Sequence, residues 1–476
     1  MLYIDGKWVK AADGKTFTVT NPANGETIGE VADGGREDTR KAIEAAHRAF
    51  PAWSALPAKE RGRYMLEAAR IIRQQADRLA ETITKEMGKP LLEAKGEVES
   101  GLEFLEWYAE EGKRVYGDTI PSSTPNKRLL VLKQPIGVVA AITPWNFPFS
   151  MVTRKIAPAI AAGCTVVLKP APATPMTAMA IFEAFDQAGF PSGVVNLITS
   201  DRAEEVGEEL MKSPLVRKVT FTGSTAVGKL LMKQAAETMK NVSFELGGHA
   251  PFIVFEDADL EKAAEGALLS KFRNAGQTCI CTNRLYVHED VAETFGTILA
   301  EKVKGLRLGN GLDEATQIGP LVNQAALDKV ELHVRDAVEQ GARVLCGGSR
   351  WTEGEGAKGY FYQPTLLMNV TKSMRIAQEE TFGPVAPIFV FRDEEEVIRE
   401  ANDTRYGLAA YFYTRDLSRA IRVMEALEYG IVGVNDPVPV AVQAPFGGVK
   451  ESGIGREGGK YGIEEYLEEK FVSIGL

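Results

Sequence analysis

Alternating polar and apolar positions mark the first patterned stretch of this chain. Over residues 16–31 they predict two strands, and Asn24-Gly25 between them is the pair that tight hairpin turns favour. Across residues 37–116 the apolar spacing lengthens to the helical period, predicting successive amphipathic helices broken at Pro51 and again at Gly88 and Pro90. Residues 127–141 (KRLLVLKQPIGVVAA) return to strand-type patterning around Gln134-Pro135, the mark of a β-ribbon or crossover.

Beyond it, strand and helix alternate. Strands are predicted at 138–142, 165–168, 194–198, 218–222 and 242–246, with helices at 154–162, 176–188, 203–211 and from Ser224 onward. That alternation implies a parallel sheet covered on both faces, an α/β domain of the doubly wound, Rossmann-like type. A second α/β block opens at 251–255, with Asp257 expected to cap a helix carrying Leu260, Ala264, Ala267 and Leu268 on one face. It continues through 284–287 to about Val434, and a Gly-rich tail follows from Gly447.

Composition narrows the class without choosing a chemistry. A length of 476 residues suits two or three domains with a cleft between them, and 45% hydrophobic with 25% charged residues is ordinary for a globular protein. A net charge of −10 argues against a nucleic-acid or anionic-membrane surface. The start, MLYIDGKWV, has no basic segment leading into an apolar run, and no apolar stretch is long enough to span a bilayer, so a cytoplasmic enzyme is expected. Four cysteines are too few for a disulfide framework at this length.

Two motifs carry chemistry. Phe221-Thr222-Gly223-Ser224 through Gly228-Lys229-Leu230 places glycines between a predicted strand and helix, where free N–H groups and the helix dipole favour phosphate. It resembles a P-loop, but Leu230 stands where a Ser or Thr would ligate magnesium. The second is Phe272-Arg273-Asn274-Ala275-Gly276-Gln277-Thr278-Cys279-Ile280-Cys281, a thiol in a polar Gly-containing turn. None of the four histidines sits in a motif that would support a Cys-His pair, and Cys279 and Cys281 lack a second ligand pair for zinc, so no metal is expected.

In order along the chain stand Pro144-Trp145-Asn146-Phe147-Pro148, Phe221-Thr222-Gly223-Ser224, Glu245-Leu246-Gly247-Gly248, Gly276-Gln277-Thr278-Cys279 and Glu380-Thr381-Phe382-Gly383-Pro384. Together, and over essentially the whole chain, they resemble the aldehyde dehydrogenase superfamily. The resemblance implies Cys279 as nucleophile and Asn146 with the Cys279 N–H as oxyanion site. Glu245 becomes the base that hydrolyses the thioester, and electrons leave on NAD or NADP. It places Trp145, Lys169, Pro172, Gly223, Ser224, Leu246, Glu380 and Phe382 around that cofactor. Glu245 favours release of a free acid, because relatives that transfer the acyl group to coenzyme A usually lack this base.

NAD-preferring relatives often carry Glu three residues after the lysine. Pro172 here removes that repulsion of a 2′-phosphate, so NADP is expected at least to be accepted. Residues 270–281 and 460–467 are most similar to succinate-semialdehyde dehydrogenases, in which arginines matching Arg154 and Arg273 grip the substrate's distal carboxylate; the bland alternative is that both make structural ion pairs. A serine of that group falls near Val440, which leaves glutarate semialdehyde or a broad aldehyde range open. Cys281 is either a packed thiol or a redox partner of Cys279. The implied domains are 1–121 with 136–248 for cofactor, 249–446 for catalysis, and 122–135 with 447–476 as a ribbon and tail that build a homodimer or homotetramer.

Overall fold

The computed structural model describes residues 1–476. Five strands form the parallel heart of the first sheet, in spatial order Asn241–Glu245, Val216–Thr222, Val138–Ile142, Thr165–Lys169 and Val195–Leu197. The outer antiparallel strands come from the chain ends: Leu2–Ile4 and Lys7–Val9 at one edge, Gly453–Ile454 at the other. Strand Thr165–Lys169 is buried along its length and Val138–Ile142 nearly so, as expected of parallel strands covered by helices on both faces. Chain order reverses between Val138–Ile142 and Val216–Thr222, so a crevice opens beyond their carboxyl ends.

The second sheet runs Arg343–Cys346, Thr365–Met368, Val385–Phe391, Thr282–His288, Ala250–Val254, Ala409–Tyr413 and Ile431–Val434, parallel except for its first strand. A separate ribbon joins Asp118–Ile120, Lys127–Pro135 and Leu467–Gly475, with Lys127–Pro135 central and paired to the tail along its full length. The hairpin Thr16–Thr20 with Thr27–Ala32 forms where alternation predicts it.

Three local expectations are corrected. The helix Arg36–Ala55 runs through Pro51, because Pro51 and His47 both lie on its exposed face, where water can meet the carbonyl that proline deprives of a donor. It ends instead before Leu56-Pro57, where Leu56 is extended as a residue preceding proline must be. The cap of helix Leu260–Phe272 is Asp259, which accepts from Lys262 N. Asp257 instead accepts from Thr414 Oγ1, the N–H groups of Arg415 and Asp416, and Arg419, tying two segments of the second unit. The helix predicted from Arg154 already begins at Ser150, because Glu97 reaches across to accept from the N–H groups of Phe149 and Ser150 at 2.8 and 3.2 Å.

Candidate active site at the junction of two cavities

The crevice at the switch point holds a cavity of about 360 Å³. Trp145 and Asn146 border it just beyond strand Val138–Ile142, and Gly223 and Ser224 do so between strand Val216–Thr222 and helix Thr225–Ala236. Ser224 caps that helix by accepting from Val227 N at 3.3 Å, leaving neighbouring N–H groups of the first turn free for an anion. Leu246, Glu380 and Phe382 of the expected set border it as well. Phe382 sits at φ 56° with its ring edge-on to Trp145, the centroids 5.6 Å apart. Glu380 accepts from Gly248 N at 3.0 Å, and burial pushes its carboxyl up to about 7. Lys169 is buried at the end of its strand, its Nζ donating only to Pro170 O, and desolvation lowers its ammonium to about 8. Neither Lys169 nor Pro172 borders the cavity itself, whereas Lys329, absent from the sequence-based set, does.

After helix Leu260–Phe272 the chain makes an irregular turn in which Asn274, Ala275 and Gly276 all take positive φ (53°, 54° and 74°). A Cβ on Gly276 would collide with the carbonyl of Gly383, so the turn packs directly against the segment bearing Glu380 and Phe382. Side-chain amides lock it. Asn274 Nδ2 donates to Asn146 O at 3.0 Å, Asn146 Nδ2 donates to Gln277 O at 3.0 Å, and Gln277 takes Val322 N on its oxygen at 2.9 Å. Asn146 is thereby pinned to the thiol loop. Glu93 accepts from Asn274 N at 2.8 Å and anchors the turn from the far side.

Cys279 follows. Burial pushes its thiol up to about 12; the Arg154 guanidinium opposes that shift, and the carboxylates of Glu380 and Glu245 add to it. Cys281 is fully buried and unbridged, its sulfur accepting from Lys271 Nζ at 3.1 Å.

On the other side of Cys279 lies a second cavity of about 320 Å³, bordered by Arg154, Arg273, Phe147, Met151, Val440 and Phe446. Of all residues bordering either cavity, Cys279 alone borders both. Arg273 holds its guanidinium 5.3 Å from the centre of the Phe147 ring. Arg154 lies 4.0 Å over Phe446 and pairs through Nε with Glu457 Oε2 at 3.1 Å. Glu245 is 3% exposed with one carboxylate oxygen unpartnered, and burial together with the neighbouring Glu457 holds its carboxyl well above the usual range. A Cβ on Gly447 would come within 2.8 Å of Glu245 Oε1.

Glu457 and Lys155 escape the sequence reading. The one available signal is Arg154-Lys155 standing alone as charges in the otherwise apolar helix SMVTRKIAPAIAA, where burial requires a counter-charge. That counter-charge arrives from some 300 residues away, in the tail.

The model of the aldehyde dehydrogenase family matches residues 8–472. The chain is 57% identical over 473 residues, 99% of its length and 97% of the relative's, to the NADP(+) succinate-semialdehyde dehydrogenase of Escherichia coli (strain K12). It is 55% identical to the glutarate-semialdehyde dehydrogenase of Pseudomonas putida (strain KT2440), covering 100% of this chain and 97% of that protein. The crystal structure of succinate-semialdehyde dehydrogenase from Burkholderia pseudomallei superposes with a TM-score of 0.98 at 50% identity, covering 100% of this chain and 98% of that one. With five motifs gathered around one thiol and matches of this extent, the chain belongs to the aldehyde dehydrogenase family.

Proposed function

We propose that this enzyme oxidises a carboxylated aldehyde, succinate semialdehyde foremost, to the free acid, accepting NADP as well as NAD. The observation that carries the reading is the shared position of Cys279 between a cavity suited to a dinucleotide and one bordered by two arginines.

A nicotinamide dinucleotide fits the first cavity. A Cβ at Gly223 would meet the Phe221 ring and one at Gly228 would meet Leu246, so only glycine lets the turn pack, and Gly223 and Ser224 border the cavity at the start of helix Thr225–Ala236, where backbone N–H groups suit a phosphate. Trp145, Gly223, Ser224, Leu246, Glu380 and Phe382 would hold it, with Lys169 reaching toward the adenosine ribose and Pro172 presenting no carboxylate to a 2′-phosphate. When bound, the nicotinamide supplies the hydride acceptor.

The chain's own residues do the rest. Cys279, as thiolate, forms the C–S bond to the aldehyde carbon. The Asn146 side-chain amide, fixed by Gln277 O, and the Cys279 N–H meet the developing oxyanion. Glu245, with a free oxygen and a raised proton affinity, takes a proton from water as that water attacks the thioester. Arg273 and Arg154 grip the distal carboxylate, which sets the aldehyde at the sulfur and screens the site from water.

We further propose the three-part division at residues 121, 136, 249 and 447, with the ribbon building a homodimer or homotetramer. Leu132, Phe471 and Ile474 expose apolar side chains on that ribbon, 44%, 61% and 41% open, which suits burial against a second copy. No helix is long and apolar enough to cross a membrane, and a cytoplasmic location accords with that.

Initial rates with succinate semialdehyde, glutarate semialdehyde and butanal, each with NADP⁺ and NAD⁺, test the reading. Expected are the highest kcat/KM for succinate semialdehyde, turnover with NADP⁺, silence of Cys279→Ala, and a KM at least about tenfold higher in Arg273→Ala, the scale of one charge-assisted bond. Equal kcat/KM for butanal, or an unchanged KM in Arg273→Ala, overturns carboxylate recognition. A higher kcat/KM for glutarate semialdehyde moves the assignment to the longer substrate, which the apolar Val440 at the cavity wall would then explain.

A further inference from the structure

Glu457 occupies an unusual position between the substrate cavity and the base. It is 5% exposed; Oε1 accepts from Lys155 Nζ at 2.6 Å, and Oε2 forms an ion pair with Arg154 Nε at 3.1 Å without a hydrogen bond. Arg154 has a second role, since it borders the cavity beside Arg273 and rests on Phe446. Phe446 in turn exchanges two backbone hydrogen bonds of 2.7 Å with Glu457. Cavity wall, guanidinium and carboxylate are therefore one mechanical unit. One nitrogen at the end of the Arg154 side chain, Nη2, is buried without a partner, so the group has donor capacity to offer an incoming anion.

Glu245 lies against the same tail: it pairs with Gly453 in the first sheet, and a Cβ on Gly447 would come within 2.8 Å of both Glu245 Oε1 and the Arg456 side chain. Glu457 raises the affinity of Glu245 for a proton, while Arg154, Lys155 and Arg456 lower it. Arg456 is largely committed to backbone, donating to Gly448 O and Gly455 O. The other ionisable groups facing the pair are Lys218 from strand Val216–Thr222, Tyr108 and Glu111 from helix Leu91–Glu111, Glu465 and Tyr466 from the tail, and Cys279 from the thiol loop. Among the charged groups that act on Glu245, Arg154 alone borders the cavity that receives the substrate tail.

We propose that Glu457 links the protonation of Glu245 to the presence of a carboxylate on the bound aldehyde, with Arg154 as the connecting group. A tail carboxylate on Arg154 neutralises the cation that compensates Glu457. The uncompensated charge of Glu457 then favours a proton on Glu245, which the Cys279 thiol supplies as its thiolate forms the C–S bond and which Glu245 gives up to solvent before it acts as base in hydrolysis. An uncharged aldehyde leaves the Arg154–Glu457 pair intact and provides no such bias. Glu457 is thus a positioning residue that acts through Arg154 and Glu245, and the wrong class of aldehyde is penalised in the rate as well as in binding. This inference rests on the carboxylated-substrate reading above.

The test compares the pH dependence of acyl-enzyme hydrolysis in single turnovers of succinate semialdehyde and of butanal, which has the same chain length without the charge. In the wild-type enzyme the low-pH limb should lie about one pH unit higher with the semialdehyde, a tenfold change in proton affinity on the scale of one nearby charge. In Glu457→Gln the separation should shrink to the direct effect of Arg154 on Glu245, and an undiminished separation overturns the role of Glu457. Independently of any variant, calorimetry of succinate binding to the wild-type enzyme, run in two buffers of different ionisation enthalpy, should register net proton uptake. Coincident limbs in wild type, with both aldehydes turned over, overturn the linkage alone, and so does succinate binding without proton uptake. Failure of the enzyme to turn over the semialdehyde overturns the linkage and the functional reading together. Should Glu457→Gln not fold, the two wild-type measurements still decide.

Discussion

At the scale of single residues, the site shows how far burial governs reactivity. Cys279 is a poor nucleophile at rest: with its thiol pushed up to about 12, thiolate forms only when a nearby carboxylate takes the proton or an anion-stabilising group arrives. Cys279 and Glu245 were legible in the sequence because their motifs are contiguous. Their proton affinities were not, since these depend on Arg154, Glu380 and Glu457, brought from three separate stretches of chain. Cys281 bears on the same question. We expect it to give the nucleophile a reversible oxidised form: burial holds the Cys281 thiol above its usual value, but the Lys271 ammonium at 3.1 Å opposes that shift and Cys279 stands two residues away. Peroxide should then inactivate the wild-type enzyme in a manner restored by dithiothreitol, and Cys281→Ala should lose that restoration. Identical behaviour of the two proteins would show Cys281 to be packing alone.

At the scale of elements, strand and helix order was readable from periodicity, whereas their ends were set by partners distant in sequence. Glu97 draws the start of the Arg154-bearing helix forward to Ser150, and Asp257 is diverted from helix capping to Thr414 and Arg419. The thiol turn is the sharpest case. Three consecutive residues in the left-handed region are costly, and they persist because amide hydrogen bonds and the Gly383 carbonyl fix them from outside. Gly276→Ala meets both an unfavourable φ and a collision with backbone, so it should destabilise the enzyme by about 1–3 kcal/mol and displace Cys279 from Asn146. Thermal unfolding and kcat read the two effects separately. A variant with unchanged Tm and kcat would mean that the turn tolerates a side chain there.

At the scale of the whole molecule, the tail from Gly447 does more than extend the ribbon. Its strand Gly453–Ile454 closes the edge of the first sheet, Glu457 pairs with Arg154 at the wall of the second cavity, and Leu467–Gly475 pairs with Lys127–Pro135. Removing residues 467–476 should leave the central ribbon strand with an open edge, yielding a smaller species in sedimentation and a lower Tm. An assembly identical in size to the full chain would exclude the ribbon as the association surface.

Periodicity and five contiguous motifs by themselves determined the α/β class and the family, and through the family the nucleophile, base and substrate charge that we propose. Class and family were readable because each rests on local patterns: strand and helix spacing, and short motifs contiguous in sequence. Only the tertiary structure decided that Cys279 stands between two cavities, that its thiol is held neutral, and that Arg154 is shared with Glu457. Burial and electrostatic coupling are properties of what the fold brings together from distant segments. A single chain read in order carries no direct record of those distances.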